Sequence, residues 1–257
     1  MTLRRPIAVG IIPARLDSTR LPEKPLQDLC GAPLIVRVLE RTRRSTALRD
    51  VWVATDHQRI ADAVLAAGGN AILTSPGHPS GLDRVAEAAR ILVGRETIHS
   101  EDVIVNIQGD EPFLDPRGLD HLVRLFERSE VRMATLAARF RDPDEVREPS
   151  RVKVVTDRGG RALYFSRSPI PYGAEEEGAA AALLHVGVYA YRRGTLEELA
   201  RLSPAPLERA ERLEQLRALW NGIPIHVAVG DYHSISVDTP EDLARARTLW
   251  AEGGSTI

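Results

Sequence analysis

The chain has 257 residues, of which 43% are hydrophobic and 27% charged, proportions typical of a folded globular protein with one sizeable core. Its 34 Lys and Arg side chains nearly balance 36 Asp and Glu side chains, which argues against a surface built as a whole to bind nucleic acid or a membrane. The single cysteine, Cys30, excludes an internal disulfide and suits a reducing cytoplasm, and we expect it in the core. We expect neither a signal peptide nor a membrane span, because the apolar runs are short.

The first half of the chain alternates between short apolar runs and segments with helical spacing of apolar residues. Strands are predicted at 7–13, 50–55, 70–74 and 102–108, and helices at 33–45, 58–69 and 83–94. This order indicates an α/β fold with a mostly parallel sheet and helices on both faces. Ligands of such folds bind at the carboxyl ends of the strands.

In the second half the strand-like runs follow one another more closely. They lie at 131–140, 151–157, 161–168 and 183–192, with a turn at 157–160, and predict antiparallel strands in a mixed sheet. Helices are predicted at 194–202, 211–221 and 240–251. Thr239 and Pro240 have the sequence of an N-cap followed by a first-turn proline. The segment 173–182 is biased towards Glu, Ala and Gly and is predicted to be a surface loop.

The loop after the first strand carries Arg15, Ser18, Arg20 and Lys24. Cations and amide groups at the end of a strand suit a polyphosphate, because each anionic oxygen can accept a charge-assisted hydrogen bond. The alternative is a solvated loop whose cations pair with nearby carboxylates. The spacing matches neither a Walker loop nor a dinucleotide-binding fingerprint.

Two carboxylates follow strand-like runs far apart in the sequence. Asp110 comes after the fourth predicted strand in VNIQGDEP, and Asp238 precedes a helix in SVDTPED. Such carboxylates suit Mg²⁺, and two that converge on a polyphosphate would form a metal-assisted transfer site. Gln108 offers the donor and the acceptor that recognition of a base edge requires. Taken singly, each aspartate also fits a capped turn, and the sequence leaves open whether they meet.

Seven motifs in order along nearly the whole chain resemble the 3-deoxy-manno-octulosonate (Kdo) cytidylyltransferase family, also called CMP-Kdo synthetases. They are IIPARLDSTRLPEKPL, VATDHQRIADAV, VNIQGDEP, YFSRSPIPY, HVGVYAYR, RLEQLRALWNG and SVDTPEDL. The resemblance implies a Rossmann-like nucleotidyltransferase fold in a single domain, 1–257. It also implies a smaller antiparallel lobe at about 131–193 that forms the contact of a homodimer.

The resemblance also implies an enzyme that uses CTP and one or two Mg²⁺ ions to join CMP to the anomeric hydroxyl of an acidic keto-sugar, with release of pyrophosphate. The product would serve lipopolysaccharide biosynthesis in the cytoplasm, with no nucleic-acid or membrane partner. Catalytic roles are implied for Arg15, Arg20 and Lys24 at the phosphates and for Asp110 and Asp238 at the metal. Nucleotide binding is implied for these three cations and for Ser18, Ser80, Arg84 and the cytosine reader Gln108.

Contacts to the sugar acid are implied for Arg167, His185, Tyr189, Glu214 and Gln215. Arg167 can meet a carboxylate bidentately, and the other four offer the mixed donors and acceptors that hydroxyls require. Without the family resemblance, we would interpret Arg167 as part of a surface ion pair and His185 as a core histidine. Glu214 and Gln215 would then belong to a solvated helix face.

The chain departs from the family pattern at two positions. Leu82 stands where the family usually has a threonine, and Ser236 stands where a glycine commonly precedes Val-Asp. These departures leave open a different acceptor, such as an amino-substituted sugar acid or a phosphonate. A glycosyltransferase and a non-catalytic CTP-binding protein are more distant alternatives.

Overall fold

The computed structural model describes residues 7–99, 101–174, 182–232 and 234–253. The strands are β1 (Ala8–Ala14), β2 (Leu48–Thr55), β3 (Asn70–Leu73), β4 (Val103–Asn106), β5 (Met133–Arg139), β6 (Lys153–Thr156), β7 (Ala162–Ser166), β8 (Leu183–Arg192) and β9 (Ile225–Gly230). The α-helices are α1 (Leu34–Thr42), α2 (Gln58–Ala66), α3 (Gly81–Gly94), α4 (Pro116–Arg124), α5 (Arg193–Leu199), α6 (Pro206–Glu211), α7 (Leu216–Trp220) and α8 (Pro240–Ala251).

The nine strands form one mixed sheet, whose main path is β3-β2-β1-β4-β8-β5-β9. Strands β1 to β4 pair in parallel, as do β5 and β9, whereas β8 runs antiparallel to both of its neighbours β4 and β5. The β6–β7 hairpin lies off this path and joins the sheet through β8. These pairings confirm the predicted α/β fold and its mostly parallel, mixed sheet.

Helices cover both faces of the sheet. Successive residues of β1 point to opposite faces, and Ile11 and Ile12 are both fully buried. Ile12 packs in a core with Ile35 of α1 and Leu122 of α4, whereas Ile11 packs in a second core with Val85 of α3. Burial on both faces explains why the first strands read as continuous apolar runs without alternation.

Two helices begin at polar caps beside the carboxyl edge of the sheet. The Ser80 side chain accepts a hydrogen bond from the Asp83 amide at the start of α3. Thr239 accepts one from the Asp242 amide at the start of α8, where Pro240 occupies the first turn. The predicted cap at 239–240 is therefore confirmed, and so is the turn at 157–160, closed by a bond of 3.0 Å from the Gly160 amide to the Asp157 carbonyl.

Several local predictions were wrong or incomplete. Of the helix predicted at 211–221, only Leu216–Trp220 forms α7, because Arg212 adopts a left-handed φ of 54° and ends the preceding α6 at Glu211. Helix α4 and strand β9 were not predicted. Cys30 is exposed in a turn, with φ of 51°, and does not lie in the core.

The proposed lobe at about 131–193 stays a prediction. Within it, β5 and β8 belong to the main sheet, and the β6–β7 hairpin is the part that lies off the main path. Of the predicted surface loop at 173–182, residues 175–181 lie outside the described residues. In the part of the chain that is described, every helix is too short or too polar to cross a bilayer.

Candidate active site

A polar cleft of about 420 Å³ opens at the carboxyl ends of β1 and β4. The loop after β1 forms one wall, the start of α3 another, and the loop after β4 the floor. All nine residues predicted to bind the nucleotide or the metal line this cleft. They are Arg15, Ser18, Arg20, Lys24, Ser80, Arg84, Gln108, Asp110 and Asp238.

The Lys24 ammonium joins the two aspartates that the sequence places far apart. Its Nζ lies 2.7 Å from Asp110 Oδ2 and 3.0 Å from Asp238 Oδ1. Arg20 Nη2 lies 2.9 Å from the same Asp238 oxygen. Burial works to lower the pKa of Lys24, but the Asp110 and Asp238 carboxylates outweigh it and raise that pKa above its ordinary value. Lys24 is therefore a fixed cation, and the two aspartates share one small space.

Main-chain contacts fix Asp238 beside the loop after β4. The amide of Val237 donates to the Asp110 carbonyl at 2.9 Å, and Val237 itself is fully buried. The Asp238 amide donates to Asp242 Oδ2 at 3.1 Å, so the capping box of α8 also orients this turn. The helix cap therefore positions the carboxylate, which confirms the capping interpretation of this motif, and the metal-binding role of Asp238 stays a prediction.

Gly109 allows the floor of the cleft to approach β1. A Cβ at this position would lie 2.8 Å from the main-chain oxygen of Pro13, which is closer than packing permits. Next to it, Gln108 Nε2 donates to the Gly187 carbonyl at 3.2 Å. That bond uses one of the two N–H groups of the amide and turns the NH2 group towards Gly187, with Gln108 Oε1 left as an acceptor.

Glu111 belongs to the same group of carboxylates, although it was not among the predicted site residues. Burial, and then the charges of Asp110 and Asp238, raise the pKa of Glu111 to about 7. Its Oε2 atom is buried without a hydrogen-bond partner among the described residues. Its position directly after Asp110 could have indicated that Glu111 belongs to the site, but the sequence favours a simple turn before Pro112.

Asp56 is a second residue that the sequence analysis missed. Its Oδ2 lies 3.0 Å from Nη2 of Arg84, whose side chain is only 4% exposed. Its Oδ1 accepts a hydrogen bond of 3.3 Å from the amide of Leu16, in the loop after β1. Arg84 also donates to Thr74 Oγ1 at 2.7 Å. One carboxylate thus links the loop after β1 to the arginine on α3.

The residues predicted to contact the sugar lie beyond this cleft, around β8 and α7. Tyr189, Glu214 and Gln215 line a small second cavity. Leu82 also lines it, so the residue that departs from the family pattern faces the predicted sugar contacts. Burial raises the pKa of Glu214, and the neighbouring Ser80 hydroxyl partly offsets this effect. Ser80 therefore connects the second cavity with the polar cleft.

His185 lies near the start of β8, and Arg167 directly follows β7. The His185 ring packs edge-on against Phe165 at 5.0 Å and beside Tyr189 at 5.4 Å. Arg167 donates to the main-chain carbonyls of Glu211 and Pro149, both at 2.9 Å. The guanidinium therefore supports the fold here, and its predicted contact with a carboxylate stays a prediction.

The carboxylates fit a divalent cation that is shared with a substrate. Asp110 and Asp238 already face one cationic atom, the Lys24 ammonium, at hydrogen-bonding distance. Among the described residues, no group of three or more His, Cys, Asp or Glu side chains is arranged to hold a metal. Mg²⁺ is usually held by one or two carboxylates and completed by water and substrate phosphates, which this pair matches.

The chain was compared with known proteins. The family model described as cytidylyltransferase matches residues 9–226. The chain belongs to this cytidylyltransferase family. A 3-deoxy-manno-octulosonate cytidylyltransferase from Anaeromyxobacter sp. (strain Fw109-5) is 52% identical over 97% of this chain and 98% of the relative. One from Photorhabdus laumondii is 45% identical over 94% of this chain and 98% of the relative.

A solved structure gives the same result for the fold. A CMP:2-keto-3-deoxy-manno-octonic acid synthetase in complex with CTP matches with a TM-score of 0.88 and 42% identity, over 96% of this chain and 99% of the other. These findings confirm the resemblance to the Kdo cytidylyltransferases and the prediction of a nucleotidyltransferase enzyme. The individual roles assigned to the site residues stay predictions.

Proposed function

We propose that this cytidylyltransferase transfers CMP from CTP to the anomeric hydroxyl of 3-deoxy-manno-octulosonate. The observation that carries the proposal is the meeting of Asp110, Asp238 and Lys24 in one cleft, in a chain 52% identical to a relative that bears this name. In the reaction, the hydroxyl oxygen bonds to the α-phosphorus, the bond to the β-phosphate oxygen breaks, and the hydroxyl proton passes to solvent. Pyrophosphate leaves, and no covalent enzyme intermediate is needed.

The nucleotide lies with its phosphates against the loop after β1 and its base towards β8. Arg15, Arg20 and Lys24 supply cations for the triphosphate, with the Ser18 hydroxyl in the same wall. Gln108 Oε1 is left as an acceptor by the bond to the Gly187 carbonyl, and it suits the amino group of cytosine. Uracil presents an oxygen at that place and would meet a second acceptor, so this arrangement favours CTP over UTP.

Asp110 and Asp238 would hold one or two Mg²⁺ ions together with the phosphates. When bound, Mg²⁺ supplies positive charge that offsets the charge on the phosphate oxygens and can lower the pKa of the attacking hydroxyl. The residues of the chain then contribute mainly position and fixed charge. Bringing an anionic sugar to an anionic triphosphate is electrostatically unfavourable, and Arg20 and Lys24 reduce that cost.

Tyr189, Glu214 and Gln215 are proposed to hold the sugar on the far side of the cleft, with His185 and Arg167 nearby. Leu82 places an apolar group in the lining of the second cavity where the family usually has a hydroxyl, so an amino-substituted sugar acid or a phosphonate stays the alternative acceptor. We further propose a cytoplasmic homodimer that supplies lipopolysaccharide biosynthesis. The side chains of Leu163 and Tyr172, both in the stretch 131–193, are exposed and available for such a contact.

The decisive experiment measures pyrophosphate release with CTP, Mg²⁺ and a panel of keto-sugar acids, amino-sugar acids and phosphonates. We expect turnover with 3-deoxy-manno-octulosonate, no turnover when EDTA removes the metal, and a strong preference for CTP over UTP. Turnover with another acid alone would replace the acceptor in this proposal. No product with any acid would refute it.

A further inference from the structure

Thr135 lies on β5 beside His185 of β8, at a break in the pairing of the two strands. On one side of the break Thr135 pairs with Tyr189, and on the other the next residue of β5 pairs with Val186. The Thr135 side chain is fully buried, and its hydroxyl lies 3.0 Å from Nε2 of His185. The same hydroxyl lies 2.8 Å from the main-chain oxygen of Val188 and 3.3 Å from that of Val186.

These distances determine which nitrogen of His185 carries the proton. A hydroxyl has one proton to donate, and a carbonyl oxygen can only accept. The Thr135 proton therefore goes to a carbonyl, and the shorter distance assigns it to Val188. Towards Nε2 the hydroxyl presents a lone pair, so Nε2 must be the donor.

The His185 ring is neutral under ordinary conditions, because burial lowers its pKa to about 3. A neutral imidazole has a single N–H group. With that proton on Nε2, Nδ1 has a free lone pair, and it makes no hydrogen bond within the described residues. An atom of this kind binds a hydroxyl or an amino group and repels a carboxylate or a phosphate oxygen.

We propose that Thr135 is a positioning residue that fixes His185 in its Nε2-protonated tautomer and so presents Nδ1 as an acceptor to a hydroxyl of the sugar. The sugar contact rests on the proposed function, whereas the tautomer follows from contacts within the chain alone. The family resemblance implied that His185 contacts the sugar but did not say whether its ring donates or accepts the hydrogen bond. The ring accepts from the sugar and does not donate to its carboxylate.

Thr42 provides a matched control. It is also fully buried, and its hydroxyl donates to a main-chain carbonyl, that of Val38, at 2.8 Å. It lies on α1, outside the cleft and away from His185. Thr42→Val therefore removes the same chemical group from an equally buried place, and any effect specific to Thr135 must exceed it.

The experiment uses the full chain labelled with ¹⁵N at histidine and long-range ¹H–¹⁵N NMR, with His185→Asn to assign the resonance. In the wild type we expect a protonated Nε2 and an unprotonated Nδ1 that do not titrate between about pH 5.5 and 8, since the ring is neutral there. In Thr135→Val we expect a mixture of tautomers. A wild-type ring with its proton on Nδ1 overturns the proposal, and this measurement needs no variant at Thr135.

Kinetics give a second readout. Thr135→Val should raise KM for 3-deoxy-manno-octulosonate by about 10-fold, the usual effect of a lost buried hydrogen bond, and leave KM for CTP within about 2-fold. Thr135→Ser should restore the wild-type tautomer and KM, and Thr42→Val should change neither. An equal change in both KM values, or an unaltered tautomer in Thr135→Val, refutes the positioning role. If the wild type turns over no sugar acid, the proposed function fails, and the NMR result alone decides the tautomer.

Discussion

The main-chain amide of Val237 donates a hydrogen bond of 2.9 Å to the main-chain carbonyl of Asp110. This bond joins the loop after β4 to the turn before α8, which are far apart in the sequence, and places Asp238 opposite Asp110. The space between their carboxylates is the point where the Lys24 ammonium lies. The arrangement therefore depends on the main chain as much as on the charges, and it can be tested by substitutions that leave the main chain alone.

Asp238→Asn should abolish most of the activity and spare the fold. The amide keeps the size of the side chain but removes the charge that would hold Mg²⁺, so we expect turnover to fall by about 100-fold or more. Pyrophosphate release should be measured against Mg²⁺ concentration, with thermal unfolding as the check on folding. Glu241→Gln, an exposed change in the first turn of α8 that follows Asp238, is the control and should have no effect. Wild-type turnover of Asp238→Asn at high Mg²⁺ would contradict the assignment.

Asp56→Asn should destabilise the protein. It leaves the buried guanidinium of Arg84 without its carboxylate, and we expect the free energy of unfolding to fall by about 3 kcal/mol. The measurement is urea unfolding of the protein without ligand. Asp62→Asn, on the exposed side of α2, is the matched control and should change stability by less than about 0.5 kcal/mol. Equal behaviour of the two variants would show that the Asp56–Arg84 pair contributes nothing.

Gly109→Ala should lower both stability and activity. Its Cβ would lie 2.8 Å from the Pro13 carbonyl oxygen, and the main chain must move to relieve the contact. We expect a loss of about 1–3 kcal/mol in the free energy of unfolding and a lower turnover, because Gln108 and Asp110 move with it. Gly194→Ala, where a Cβ meets nothing within 4 Å, should be neutral or slightly stabilising. Normal activity of Gly109→Ala would contradict the close approach.

Glu111 should make stability depend on pH. Its pKa is raised to about 7, so between about pH 4.5 and 7 the folded state retains a proton that the unfolded state has lost. The free energy of unfolding should therefore fall as pH rises through this window, by about 3 kcal/mol, and level off above it. Urea unfolding in EDTA across pH 4.5–8 should show this contribution in the wild type and not in Glu111→Gln. Parallel pH profiles for the two proteins would contradict the prediction.

The sequence was sufficient for the first four strands and the first three helices, and for placing the loops after β1 and β4 at one edge of the sheet, because these depend on local patterns. Buried parallel strands read as apolar runs, and the charged loops after them must meet at one edge of the sheet. Strand β9 and the position of β8 between β4 and β5 depend on pairing between distant segments, which no local pattern specifies. Asp56 and Glu111 were not predicted as site residues for a similar reason. Only their three-dimensional neighbours distinguish them from ordinary turn residues.

The break in pairing between β5 and β8 restricts how this enzyme can be re-engineered for another acceptor. Thr135 and His185 contact each other because the two strands lose register together at that point. A chimaera that takes 183–192 from a relative but keeps 133–139 of this chain would pair two strands whose register shifts come from different proteins. We therefore expect the contact between Thr135 and His185 to be kept only when the two segments are exchanged together.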